Sequence, residues 1–267
     1  FYFILIFYEM THKFGRNFFI NVVLNVFMAE VKCNQCGNNY KNVCCHWAMS
    51  SSCSYPELTQ KQLEVTTGLL MGDGWVNDRK DKNDRLATEM ISPNYLKRLD
   101  NIFGVLGCGF SLKDTAAESA KDAKDRNFSN VAVEKNYSDL YEWHTRSHPK
   151  FNEFREWYST GEKVWPEDIE LTPTVLKHWY VGDGCYVSDK KSNYIKITMS
   201  NQIENTEKIS KYFTDVGLPK PNFVKAERKN GHKKCEAQWS KSNTETIFNY
   251  MGRPLPDFEY KWPEECR

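Results

Sequence analysis

The chain is expected to fold as an α+β protein made of two copies of one α-β-β-α-β-β-α unit, each carrying a four-stranded antiparallel sheet. Three observations predict this. First, the segments GLLMGDGWVNDRKDKNDRLATEMISPNYLKRLDNIFGVLG and HWYVGDGCYVSDKKSNYIKITMSNQIENTEKISKYFTDVG answer to each other. Asp73 and Asp183 stand 110 residues apart, as do Gly107 and Gly217, so the register holds across each unit. Second, apolar helical runs alternate with short strands bounded by polar turns. Third, 40% of the 267 residues are hydrophobic and 14% aromatic, which supplies packed cores and excludes a disordered chain.

In chain order, the opening FYFILIFYEM is too short an apolar run to span a membrane. It also lacks the basic start and small-residue cleavage site of a secretory signal. Met28 precedes AEVKCNQCG and is the expected start, so residues 1–27 are taken as a leader outside the fold. Residues 28–56 hold five of the nine cysteines. A Cys-x2-Cys knuckle at Cys33 and Cys36, followed by His46 and Cys53, predicts a tetrahedral zinc-finger-like Zn²⁺ site, with a helix after Asn42 presenting His46. Cys44 or Cys45 would replace His46 or Cys53 if the spacing demanded it. Such a finger would add phosphate or base contacts to a nucleic-acid footprint. An odd, locally clustered cysteine count suits an intracellular, reducing compartment and not a secreted disulfide framework.

The first repeat is expected over 57–164. A helix from Thr59 to Gly72 ends at Gly-Asp-Gly. Strands follow at Gly74–Asn77 and Leu86–Ile91, then an amphipathic helix from Tyr95 to Leu106 closed by Gly107. Strands at Phe110–Thr115 and Leu140–Thr145 flank the excursion AAESAKDAKDRN, and a helix at Lys150–Tyr158 closes the unit. The second repeat, 165–267, runs in parallel. It has a helix at Pro173–Gly182, strands at Cys185–Ser188 and Tyr194–Met199, a helix at Asn205–Val216, strands at Asn222–Glu227 and Lys234–Ser240, and a helix at Asn243–Met251. Asn230-Gly231 is a strong hairpin signal.

One Gly-Asp-Gly is usually a helix stop with a polar turn; the second copy in register gives the string meaning. Two helices that meet along their length need small residues at the contact, and Gly68 and Gly72 supply them on one helix face. The second helix has His178 and Gly182 at the matching places, so its contact should be looser or more polar. Asp73 and Asp183 would arrive together, and paired carboxylates repel unless cations lie between them. Mg²⁺ (or Mn²⁺) suits such hard oxygen ligands and can activate water for attack on a phosphate.

TTGLLMGDG (Thr66–Gly74) and LKHWYVGDG (Leu176–Gly184) resemble the paired motifs of the LAGLIDADG homing endonucleases, in the two-motif, single-chain form. TRSHPKF, GEKVWPEDIELTP and FEYKW extend the likeness over about Leu58 to Trp262. The resemblance implies two saddle-like sheets, a metal-dependent double-strand DNA endonuclease and an intron or intein context. The alternative it leaves is an inactive nucleic-acid-binding relative such as an intron maturase. It implies that Asp73 and Asp183 bind metal, with the carbonyls of Gly72 and Gly182 completing the shells. Lys163 and Lys261 match the family's lysines near the scissile phosphate, and Ser92 and Asn201 (or Gln202) its water-positioning polar residue. Gly stands before the acid in both copies where many members have Asp or Ala, which removes no necessary ligand.

A two-stranded ribbon fits the major groove. The ribbons here are rich in donors for bases and phosphates: Arg79, Lys80, Lys82 and Arg85 in one copy, and Lys190, Lys191, Lys196, Lys225, Arg228, Lys229, Lys233, Lys234 and Gln238 in the other. Any one of these is commonly a solubilising turn residue; their concentration in both copies carries the weight. A net charge of +1 neither supports nor excludes DNA. Two unequal halves in one monomer predict a long, only approximately palindromic target duplex.

Overall fold

The computed structural model describes residues 30–77, 82–125, 136–158, 163–188, 193–227 and 233–267. Contacts group the chain into one unit ending at Tyr55 and another spanning Pro56–Arg267. In the first, β1 (Val31–Lys32) pairs antiparallel with β2 (Asn39–Tyr40), and α1 (Val43–Met49) follows. Asn42 starts that helix by accepting from the Cys45 amide at 3.3 Å.

In the second unit, α2 (Gln60–Met71) begins at a capping box in which Thr59 and Gln62 satisfy each other's amides. Then come β3 (Gly74–Asn77), β4 (Arg85–Met90), α3 (Pro93–Phe103), β5 (Gly107–Asp114), α4 (Ala116–Asp125) and β6 (Leu140–Thr145). The second repeat runs α5 (Pro173–Asp183), β7 (Gly184–Ser188), β8 (Asn193–Thr198), α6 (Thr206–Asp215), β9 (Asn222–Glu227), β10 (Lys233–Trp239) and α7 (Lys241–Met251). The sheets have matching antiparallel orders, β3-β4-β6-β5 and β7-β8-β10-β9. Each core holds a corresponding aromatic pair, Phe103 against Trp143 at 5.2 Å and Phe213 against Trp239 at 4.8 Å between ring centroids.

Three local expectations change. The excursion after β5 is helical over Ala116–Asp125, because Thr115 and Glu118 form a capping box: each side chain accepts from the other's amide, at 3.2 and 2.8 Å. The segment Pro149–Tyr158 is a 3-10 helix and not an α-helix. Asn152 and Arg155 both reach Asp84, and three residues per turn sets them on one side. β5 starts early, at Gly107, and passes through a bulge where Gly109 takes φ +72°.

The α2–α5 contact is tight. A Cβ on Gly68 would lie 2.5 Å from the Val175 carbonyl oxygen and 2.7 Å from the His178 Cβ. His178 therefore does not loosen the contact. Its ring is buried, with Nδ1 hydrogen-bonded to the Tyr95 hydroxyl at 2.7 Å. Of the two alternatives, looser or more polar, the contact takes the polar one.

Candidate active site

Asp73 follows the end of α2, and Asp183 is the last residue of α5. Because these helices pack along their length, both acids reach the same end of the contact. A Cβ on Gly182 would stand 3.1 Å from Asp73 Oδ2, and one on Gly72 would stand 3.8 Å from Asp183 Oδ2. The second glycine of each motif is needed for space. A Cβ on Gly74 would meet the Leu69 carbonyl at 2.8 Å, and one on Gly184 would run into the Tyr180 ring and carbonyl.

Burial pushes the Asp183 carboxyl up to about 7, and the charge of Asp73 adds to the rise. The positive charges of Lys163 and Lys261 pull the other way. Asp73 is shifted in the same direction by burial, against Lys261 and Lys163. Its side chain still reaches solvent, so a ligand can approach it within dense surroundings. The two carboxylates and the Gly72 and Gly182 carbonyls present oxygen atoms at this end. Two crowded acids with raised pKa values suit a hard divalent cation, whose charge offsets both the repulsion and the desolvation.

The two lysines are placed in parallel fashion. Lys163 Nζ donates to the carbonyls of Gly72 at 2.8 Å and Gly74 at 3.1 Å, and Lys261 Nζ to those of Val181 at 2.6 Å and Gly182 at 3.4 Å. Burial lowers both pKa values; the larger opposing attraction comes from Asp183 for Lys163 and from Asp73 for Lys261. The backbone carbonyl of Lys163 accepts from Gln202, and that of Lys261 accepts from the Tyr180 hydroxyl at 2.7 Å. The Gly72 and Gly182 carbonyls are thus engaged by lysines, each keeping a second lone pair.

A cavity of about 240 Å³ opens on Asp73, Asp183 and Lys163 and is lined further by Thr198, Asn201 and Gln202. Of the polar residues expected to position water, only Asn201 is exposed there. Gln202 is buried and holds Lys163. Ser92 is also buried: it caps α3, accepting from the Tyr95 amide at 3.1 Å, and donates to Asp257 Oδ2 at 2.6 Å. That hydroxyl is committed to a helix terminus. The roles of Gln202 and Tyr180 behind the lysines depend on contacts between distant segments and left no spacing signal.

The cationic residues expected to meet DNA divide into groups. Arg79, Lys80, Lys190, Lys191, Arg228 and Lys229 lie outside the described residues, as do residues 1–27. Lys82 is exposed and Arg85 half-buried, opposite Asn77 on β3. Lys196, Lys234 and Gln238 converge on the buried Glu236 at 3.0, 2.8 and 2.9 Å, and these bonds draw its carboxyl down to about 2 against burial. The register sets Lys225 opposite Cys235, and Lys233 shares the parity of Cys235. Those two exposed lysines therefore project from the sheet face opposite to that of Lys196, Lys234 and Gln238, because side chains alternate along a strand. Pooling all these charges into one ribbon surface overlooks that alternation.

In the first unit, the ligand atoms of Cys33, Cys36, His46 and Cys53 all lie within 4.8 Å of one another. Cys44 and Cys45 are outside that group. No disulfide forms among the described residues.

The model of the LAGLIDADG DNA endonuclease family matches residues 63–233, and the chain belongs to that family. The cytochrome b mRNA maturase bI2 of Debaryomyces hansenii is 26% identical over 213 residues, covering 76% of this chain and 74% of that protein. The solved structure of the homing endonuclease I-WcaI bound to its DNA recognition sequence aligns with a TM-score of 0.60 at 16% identity, covering 78% of this chain and 88% of that one. Its likeness shows the fold. The N-terminal LAGLIDADG domain of DUF199/WhiA aligns with a TM-score of 0.41 at 10% identity, over 75% and 87% of the two chains. No helix among the described residues is long and apolar enough to cross a membrane.

Proposed function

We propose that the chain is a site-specific double-strand DNA endonuclease whose divalent-metal centre is held by Asp73, Asp183 and the carbonyls of Gly72 and Gly182. The observation that carries this is the meeting of two acids at one helix–helix end, with the Asp183 carboxyl raised to about 7 by burial and by Asp73. Such an arrangement destabilises the metal-free protein and serves a cation. Bound Mg²⁺ or Mn²⁺ would supply Lewis-acid activation and neutralise developing charge. Lys163 and Lys261, fixed by motif carbonyls, place positive charge beside the acids where a scissile phosphate would lie. Asn201 offers an exposed amide to orient water in the cleft.

The partner is a long duplex contacted by both unequal repeats of one monomer, with the folded halves at 57–164 and 165–267. The I-WcaI structure, with DNA on the same fold, supports this partner. The maturase likeness favours a second reading, a nucleic-acid binder that assists RNA splicing without cutting DNA.

The test is cleavage of duplex DNA carrying the uninterrupted form of the locus that contains the gene. With Mg²⁺ the wild-type chain should make a double-strand break. Asp73→Asn and Asp183→Asn should each lose about 100-fold or more of that activity while still binding the duplex. Full cutting by either variant would remove the shared-metal arrangement; binding of the host intron RNA without any DNA cleavage would favour the second reading.

A further inference from the structure

We propose that Cys33, Cys36, His46 and Cys53 hold one Zn²⁺ in a closed, structural site on which the folding of residues 30–55 depends. Three thiols and an imidazole form a soft donor set suited to tetrahedral zinc with no open position. Zn–S bonds of ~2.3 Å and Zn–N bonds of ~2.0 Å imply ligand–ligand edges of about 3.5–3.8 Å. Cys36 Sγ and His46 Nε2 already stand 3.5 Å apart, and the whole group lies within 4.8 Å. A small contraction closes the tetrahedron.

The surrounding bonds orient these ligands. Gly37 takes φ +76° and donates its amide to the Cys33 carbonyl at 2.9 Å, while the Cys33 amide donates to the Asn38 carbonyl at 2.8 Å. These two bonds form the tight knuckle that brings Cys33 and Cys36 together. His46 projects from α1 with its ring stacked on Tyr40, 3.9 Å between centroids and 11° apart. The Tyr40 hydroxyl lies 3.6 Å from Cys36 Sγ. On the far side, Ser50 Oγ accepts from the Cys53 amide at 3.0 Å and turns that thiol inward, where it is buried. Such second-layer contacts are what metal ligands need to stay in place.

Besides Cys33 and Cys53, only Val43 and Trp47 are buried apolar side chains among the described residues of this unit. So small a core does not hold a fold in water without a staple. No disulfide supplies one among the described residues, so metal binding and folding are one event here.

The full chain, purified under reducing conditions, should carry one zinc per molecule by elemental analysis. Replacement with Co²⁺ should give thiolate-to-cobalt charge-transfer absorption and the intense visible bands of a tetrahedral site. Cys33→Ser/Cys36→Ser should lose the metal and expose residues 30–55 to protease, while Cys44→Ser/Cys45→Ser should keep both metal and protection. Zinc absent from the wild-type chain after refolding with excess Zn²⁺ would overturn the proposal, as would octahedral cobalt spectra or loss of zinc in the Cys44→Ser/Cys45→Ser chain. The wild-type cobalt spectrum decides even if the Cys33→Ser/Cys36→Ser chain fails to fold. None of these measurements uses DNA cleavage, so they stand or fall apart from the endonuclease proposal.

Discussion

Asp183 is where residue chemistry and function meet most closely. Its carboxyl binds a proton more tightly folded than unfolded, with a pKa raised from 3.8 to about 7. The stability this gives is present at low pH and is lost as pH rises from about 4 through 7. Without added divalent ion, Asp183→Asn should therefore stabilise the chain by about 1–3 kcal/mol at pH 8, by less at mid-range pH, and have little effect once the pH is below the unfolded value of 3.8, as read by denaturant unfolding. Apparent affinity for Mn²⁺ should rise through the same pH range, because the acid must ionise to bind. Both aspartates were legible because an acid recurs at one place in two aligned copies. The commitment of Ser92 to Asp257 was not, since these residues are 165 positions apart and nothing local links them.

At the scale of elements, the α2–α5 contact makes separable demands on its glycines. Gly68→Ala would drive a Cβ into the Val175 carbonyl and should cost about 1–3 kcal/mol in urea unfolding. Gly72→Ala meets nothing closer than 3.4 Å and should cost clearly less. The polar part of the interface gives a further expectation. Tyr95→Phe leaves the buried His178 Nδ1 without its 2.7 Å partner and should destabilise by about 1–3 kcal/mol with no change in the metal requirement of cleavage. Burial and nearby Lys61, Arg98 and Lys177 hold His178 down to about 3, so it stays neutral at working pH. Helices and strands with clear apolar periodicity and glycine or threonine boundaries were legible almost to the residue. The Thr115–Glu118 capping box also stood in the sequence, inside a stretch whose low hydrophobicity hid the helix. The 3-10 form of Pro149–Tyr158 was not readable, because its cause is a tertiary anchor on Asp84.

For the whole molecule, duplication explains why each motif is served by a distant lysine. Lys163 lies ahead of the second repeat's helix α5 yet holds the first motif, and Lys261 near the C-terminus holds the second. The repeat architecture was visible in the sequence because the copies hold one register, an offset of 110, from Asp73 to Gly107. Which side of a sheet each cation occupies was not, since a one-residue change of parity moves a side chain to the other face. The repeats contribute unequal surfaces, so one chain should bind one asymmetric duplex as a monomer, which sedimentation of the complex measures directly.

The proposed placement of divalent ions between the two acids is tested most directly by Mn²⁺ titration of the DNA-bound chain, followed by electron paramagnetic resonance. Wild-type protein should sequester Mn²⁺, and Asp73→Asn and Asp183→Asn should each weaken that binding about tenfold or more. Undiminished Mn²⁺ binding by either variant, in a complex that still holds its duplex, would contradict it.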